Sequence, residues 1–232
     1  MTVKMNSVIM NSVIINVTPP VTTAPPSGQG GSILLDGSTY LQAAASSDWD
    51  IGTNDFTIEW FLKQTDVNSF PRIFQFGTYP APLGVSIEGG TFYFWMSGVA
   101  ASTSVSYNAW HHMAVTRHNG TVMLFVDGVL KTSVHKPNSI VLTGIPMSIG
   151  VDPGEIEVTT ITGNFTNFNY VVGEAKYTST FTKPNAPISA STGTKILLLS
   201  SDSGHLLTDS SSYNRSISVT AGTPIWASDT PF

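Results

Sequence analysis

The sequence predicts an all-β fold, and three observations carry that prediction. From Ser32 onward, short runs rich in β-branched and aromatic residues alternate with turn signals at intervals of eight to twelve residues. The segment Phe56–Lys63 alternates with period two, placing Phe56, Ile58, Trp60 and Leu62 on one face and Thr57, Glu59, Phe61 and Lys63 on the other. No run shows helical periodicity, and 14 prolines and 20 glycines argue against long helices. Regular short strands of this kind build a sandwich or a barrel.

The 232 residues suit one large β domain. No cysteine is present, so disulfides and thiolate metal sites are excluded. Charged residues are 11% of the chain, far below the usual quarter, and Ser, Thr, Gly and Asn take their place. Secreted, viral and β-rich structural proteins share this composition. The net charge is −5 and no basic stripe occurs, which argues against a nucleic-acid partner. No apolar run reaches the length of a membrane span.

The chain begins with a tandem pentapeptide, Met5-Asn6-Ser7-Val8-Ile9 and then Met10-Asn11-Ser12-Val13-Ile14. Val13, Ile14, Ile15 and Val17 favour strand over helix. Residues 1–17 lack a compact apolar region followed by a small-residue cleavage site, so they read as a retained segment. The expectation is an arm, with Val8, Ile9, Val13, Ile14, Ile15 and Val17 as its contacts, that adds a strand to a neighbouring subunit. Residues 18–31 hold four prolines and three glycines and read as a linker, so the domain is expected over 32–232.

Strands are expected at Ser32–Leu35, Phe56–Lys63, Arg72–Phe76, Leu83–Ile87 and Thr91–Met96, then at Trp110–Arg117, Thr121–Val126 and Val129–Ser133. Ile140–Ile149, bent at Pro146, follows, and Gly163–Val172, Lys195–Leu199 and Ser216–Val219 complete the set. Gly89-Gly90 and Asn119-Gly120 are hairpin signals, and Asp36-Gly37 and Asp127-Gly128 read the same way.

Several of these segments fall in a familiar order. They are Ser32–Leu41, Asp55–Phe61, Trp110–Arg117, Leu124–Gly128, Gly163–Phe165, Tyr177 and Phe181–Pro184. Together they resemble laminin-G-like, concanavalin-A-like lectin and glucanase domains, over about residues 32–200. The C-terminal run Thr194–Leu199 followed by Asp209-Ser210-Ser211 is similar to the versions carried by bacteriophages and large algal viruses. The resemblance implies a two-sheet antiparallel jelly-roll sandwich, here with an extended N-terminal arm. It also implies binding, adhesion, glycoside hydrolysis or capsid architecture as functions.

The chemistry-bearing residues are sparse. Hydrolases on this fold resemble one another in an acidic cluster on one strand, which suits two-carboxylate chemistry. The nearest pair here is Glu155 and Glu157, after the turn at Pro153-Gly154, which read as solvated loop charges, and Asp48 and Asp50 around Trp49 read as loop residues beside Gly52 and Asn54. His111 and His112 must face opposite ways along a strand, and the resemblance implies a packed histidine there. No cofactor is assigned from the sequence; the resemblance makes calcium the metal to consider first. Asp36, Asp48, Asp50, Asp55, Asp127 and Asp152 lie near turns but form no dense ligand run, so its ligands are unassigned.

In Thr91–Met96, alternation puts Phe92, Phe94 and Met96 in the core and Tyr93 and Trp95 outside. Tyr93 and Trp95, with Glu59, Lys63 or Arg117 nearby, are the candidate carbohydrate face, and the competing reading, which the sequence favours, is that they cover hydrophobic rim or a subunit interface. The leading functional expectation is a non-enzymatic virion structural or decoration protein on the virion surface, oligomeric and held to other virion or capsid proteins by its arm. The alternative is an adhesin or lectin for host glycans, outside the cell or on its surface. A glycoside hydrolase is the weakest reading.

Overall fold

The computed structural model describes residues 30–65 and 70–232. The N-terminal arm and nearly all of the Pro-rich linker therefore lie outside the described residues. Fifteen strands appear in chain order: β1 (Ser32–Asp36), β2 (Tyr40–Ala43), β3 (Phe56–Gln64), β4 (Arg72–Phe76), β5 (Leu83–Glu88), β6 (Thr91–Trp95), β7 (Val99–Ser104), β8 (His111–His118), β9 (Thr121–Val126), β10 (Val129–His135), β11 (Met147–Ile149), β12 (Thr162–Val172), β13 (Thr194–Leu198), β14 (Ile217–Ala221) and β15 (Ile225–Ala227). One turn of helix, α1 (Ile156–Thr159), precedes β12.

The strands form two antiparallel sheets packed as a sandwich. The eight-stranded sheet runs β10-β9-β8-β3-β12-β1-β15, with β13 also on β12, and the seven-stranded sheet runs β14-β2-β11-β4-β5-β6-β7. Type I′ geometry closes three hairpins. Both central residues have positive φ at Gly89-Gly90 (55° and 73°), Asn119-Gly120 (48° and 75°) and Asp127-Gly128 (51° and 78°).

The core follows from alternation. Phe56, Ile58, Trp60 and Leu62 of β3 point inward. The Trp60 ring meets Phe74 of β4 at 5.8 Å and Phe92 of β6 at 5.7 Å, both edge to face. A bulge in β12 at Asn167, whose φ is 56°, turns both Phe165 and Phe168 toward the same core. Without that extra residue their three-residue separation would put them on opposite faces.

Several expectations need correction. Asp36-Gly37 is not a hairpin, because β1 and β2 belong to different sheets. Asp36 Oδ1 instead accepts the backbone N–H groups of Ser38 (3.0 Å) and Thr39 (2.8 Å), and the turn carries the chain across the sandwich. Ile140–Ile149 is not one strand. Ile140 makes an isolated bridge to Gly52, and only Met147–Ile149 joins a sheet. Gly31, read as the last residue of the linker, is buried against the Trp226 indole with no room for a Cβ. The weakly patterned strands β2, β7 and β15 were not anticipated as separate elements.

Candidate functional site

The two outer faces of the sandwich differ. On the eight-stranded sheet, coil covers the central strands, while β10 at its edge is left exposed. Residues 174–183 lie over β3, β8 and β9, where Tyr177 and Phe181 stack at 3.6 Å and Phe181 packs on Phe125. The C-terminal Phe232 covers Phe61, with ring centroids 5.0 Å apart. Beneath this cover Glu59 is fully buried and saturated with donors. Its Oε1 accepts from Asn169 Nδ2 (3.0 Å) and Lys176 Nζ (2.5 Å), and its Oε2 from Tyr177 Oη (2.7 Å) and His112 Nε2 (3.2 Å). Burial pushes the Glu59 carboxyl up, but the His112 hydrogen bond and the Lys176 charge outweigh it and hold the group at about 2. Glu59 is thus a structural anchor for the 174–183 strap.

Arg117 is also structural. It faces inward from β8 with its guanidinium above Phe56, and it donates to the backbone oxygens of Gly52, Asn54 and Asn138. Lys63 pairs with Asp229 at 2.8 Å and pins the C-terminal tail. Glu59, Lys63 and Arg117 therefore lie on the sheet opposite Tyr93 and Trp95, which corrects the constellation expected from alternation. Alternation assigns a face to a side chain but not a sheet to a strand.

Tyr93 and Trp95 do stand on the outer face of β6, half-buried, while Phe92 and Phe94 are fully buried behind them. The Trp95 indole is fixed from below. Its Nε1 donates to Ser86 Oγ at 2.9 Å, Ser86 Oγ donates to Glu88 Oε1 at 2.7 Å, and Arg72 donates to the same oxygen at 2.9 Å. The Arg72 guanidinium sits 5.5 Å from the Trp95 ring. Two further rings flank the indole: Tyr93 at 6.1 Å, and Tyr79, which is 57% exposed, at 6.4 Å and edge-on. Tyr79 comes from the β4–β5 loop, where its N–H donates to Asp152 Oδ2. Sequence reasoning missed Tyr79, Arg72 and Ser86, since a loop tyrosine carries no periodic signal. A cleft of about 390 Å³ opens between Pro82, Met96 and the 136–141 segment.

The remaining candidates are held in other work. Glu155 and Glu157 are exposed at the start of α1 rather than on a strand, and two residues apart on a helical turn they do not share a face. His112 is packed among Phe61, Tyr177 and Phe181, and His111 bridges Asp127 and Ser106. Each of the six aspartates considered for calcium accepts from protein donors: Asp48 from Arg215, Asp50 from Leu142 and Thr143, Asp55 from His118, and Asp127 from His111 and Lys183. Asp36 and Asp152 accept backbone N–H groups. Burial raises the Asp127 carboxyl, but the His111 hydrogen bond and its other donors draw it well below the usual range. No three His, Asp or Glu side chains gather into a metal-holding group among the described residues. The aspartates thus fit hydrogen-bonded turns better than a calcium shell, which needs six to eight converging oxygens.

A family model described as the concanavalin A-like lectin/glucanases superfamily matches residues 35–171, more than half of the chain. The protein belongs to this superfamily. Among solved structures it is similar to a candidate carbohydrate binding protein from Bacteroides ovatus, at 12% identity and a TM-score of 0.63, over 85% of this chain and 59% of that one. It is also similar to the binding domain of Paraclostridial Mosquitocidal Protein 1, at 14% identity and a TM-score of 0.51, over 63% of this chain and 41% of that one. At such identities the likeness concerns the fold. The chain therefore spans 59% and 41% of those two proteins. No curated protein matches the sequence. No helix among the described residues is long and apolar enough to cross a membrane.

The Glu59 anchor has a pH consequence. A carboxyl held at about 2 when folded, against an ordinary 4.5, adds stability that is complete above 4.5 and is lost as pH falls toward 2. Glu59→Gln is expected to flatten that acid slope in urea unfolding measured from pH 6 to pH 2. At pH 7 the same variant should be less stable by about 3 kcal/mol, because Lys176 loses its buried partner.

Proposed function

We propose that the protein is a non-catalytic carbohydrate-binding module whose contact surface is the outer face of the seven-stranded sheet at Tyr79, Tyr93 and Trp95. The observation that carries this reading is the Trp95 indole, half-exposed yet fixed by Ser86 and Arg72 and flanked by two tyrosines. A sugar ring presents an apolar C–H face to an aromatic ring and hydroxyls to the polar groups around it. An indole already held in place loses little side-chain entropy on binding. The superfamily and the described role of the Bacteroides ovatus protein support the same class of ligand.

Non-catalytic action is supported by the state of the nearby carboxylates. Glycoside hydrolysis uses a pair that can exchange protons with substrate and water. Glu88 is engaged by Arg72 and Ser86, and Asp152 by the backbone of Tyr79 and Gly154. Neither is left free for that work.

A second reading, assembly on a virion through the N-terminal arm, draws support from one edge. Strand β14 borders the seven-stranded sheet, contains no charged residue, and leaves Val219 40% exposed. Natural edges are usually blunted by charge or proline, so an uncharged edge suits the addition of a strand. The apolar arm sequence Val13–Val17 is of the type that adds there. The two readings are compatible, since an arm can hold copies together while the sandwich presents its face to glycans on the outside of a particle or cell.

Two measurements test these readings. In a glycan array followed by titration with the retained glycan, Trp95→Ala is expected to weaken binding at least tenfold, about 1.4 kcal/mol, in a protein that still unfolds cooperatively above the temperature of the titration. An unaltered affinity would overturn the carbohydrate face. For the arm, deletion of residues 1–29 is expected to reduce the oligomer seen by light scattering to a folded monomer; full assembly without them would end that reading.

A further inference from the structure

The cleft between Pro82, Met96 and the 136–141 segment has a chemistry of its own. Its lining combines apolar Pro82, Met96, Ile140 and Val141 with polar Ser97, Asn138, Ser139 and Lys136. Lys136 is the only charged side chain in that lining, in a protein whose net charge is −5. It takes part in no ion pair among the described residues, unlike Arg72, which is held by Glu88. The cleft is joined to the aromatic segment through the backbone. Met96 follows Trp95 in the chain but belongs to the core side, and the Ser97 N–H donates to the Pro82 oxygen at 3.2 Å, tying the β6–β7 turn to the loop that carries Tyr79.

From this arrangement we infer that the cleft is an anion subsite of the glycan surface, which takes the carboxylate of a uronic acid or the sulfate ester of a sulfated sugar on Lys136 while a neighbouring sugar stacks on Trp95 and Tyr79. The inference rests on the carbohydrate reading above and adds the class of glycan to it. An apolar lining with a few polar groups is the usual build of a small-ligand site. A lone cation without an internal partner selects negative charge, because binding an uncharged ring there gains nothing from it. Ser97, Asn138 and Ser139 supply donors and acceptors for the hydroxyls of the same residue.

The full chain is tested against three immobilised polysaccharides: polygalacturonate, dextran sulfate and neutral dextran. At low salt the wild-type protein is expected to prefer one or both acidic polymers at least tenfold. Preference for polygalacturonate alone assigns the carboxylate, and preference for dextran sulfate alone assigns the sulfate ester. Lys136→Gln should remove the preference, while Lys131→Gln, an exposed lysine on β10, should leave it intact. Equal binding to all three polymers, or equal effects of the two lysine substitutions, overturns the anion subsite. If Trp95→Ala abolishes binding and Lys136→Gln leaves it unchanged, the subsite fails and the aromatic face stands. If Lys136→Gln abolishes acidic binding and Trp95→Ala does not alter it, the cleft stands and the aromatic face fails. No binding of the wild type to any polymer defeats both.

Discussion

Burial of strand β3 on both of its faces is the constraint on which the rest of the structure depends. Its inner residues, Phe56, Ile58, Trp60 and Leu62, fill the space between the sheets, and its outer residues, Thr57, Glu59 and Phe61, are sealed by coil. Trp60 touches Phe74 and Phe92, and Phe56 touches Phe94, so one strand of the eight-stranded sheet holds two strands of the other. A fully buried aromatic side chain contributes on the order of 2 kcal/mol, and the edge-to-face contacts add to that. On the outer side Glu59 fastens the 174–183 strap through Lys176 and Tyr177. The strap and the last residues thus close the outer side of β3, whereas the outer side of β6 is left partly open.

The opposite face inherits its geometry from the same packing. Phe92 and Phe94 cannot move without opening the core, so Tyr93 and Trp95, their alternates on β6, are held outward at fixed positions. The polar chain from Trp95 through Ser86 and Glu88 to Arg72 then sets the orientation of the indole. Loops contribute what strands cannot: Tyr79 from the β4–β5 connection, and Lys136, Asn138 and Ser139 from the segment after β10. A rigid sheet with variable loops at its end is a common division of labour in binding folds.

Much of the strand pattern was legible in the sequence, because period-two alternation and positive-φ turn residues report local geometry directly. The inward and outward sets of β3 and β6 and the hairpins at Gly89-Gly90 and Asn119-Gly120 follow from that signal alone. The assignment of strands to sheets was not legible, since it depends on contacts remote in sequence. For that reason Glu59 and Arg117 were grouped with Tyr93 and Trp95, although β3 and β8 lie across the sandwich from β6. Val99–Ser104 holds no large aromatic or leucine to mark it as β7, and the bulge at Asn167 breaks a pattern that reads as continuous. The cover over Glu59 and His112 comes from irregular coil, for which no periodicity exists to be read.

Glycan contact at the outer face of the seven-stranded sheet, as proposed above, is open to direct observation. The five tryptophans report on it directly through their indole N–H resonances in a nitrogen–proton NMR titration with an acidic oligosaccharide. The Trp95 resonance is expected to shift saturably, since its N–H bonds Ser86 beneath the half-buried ring, while fully buried Trp60 stays in place. Saturable shifts confined to Trp110 and Trp226, with Trp95 unmoved, would place the ligand elsewhere and contradict it.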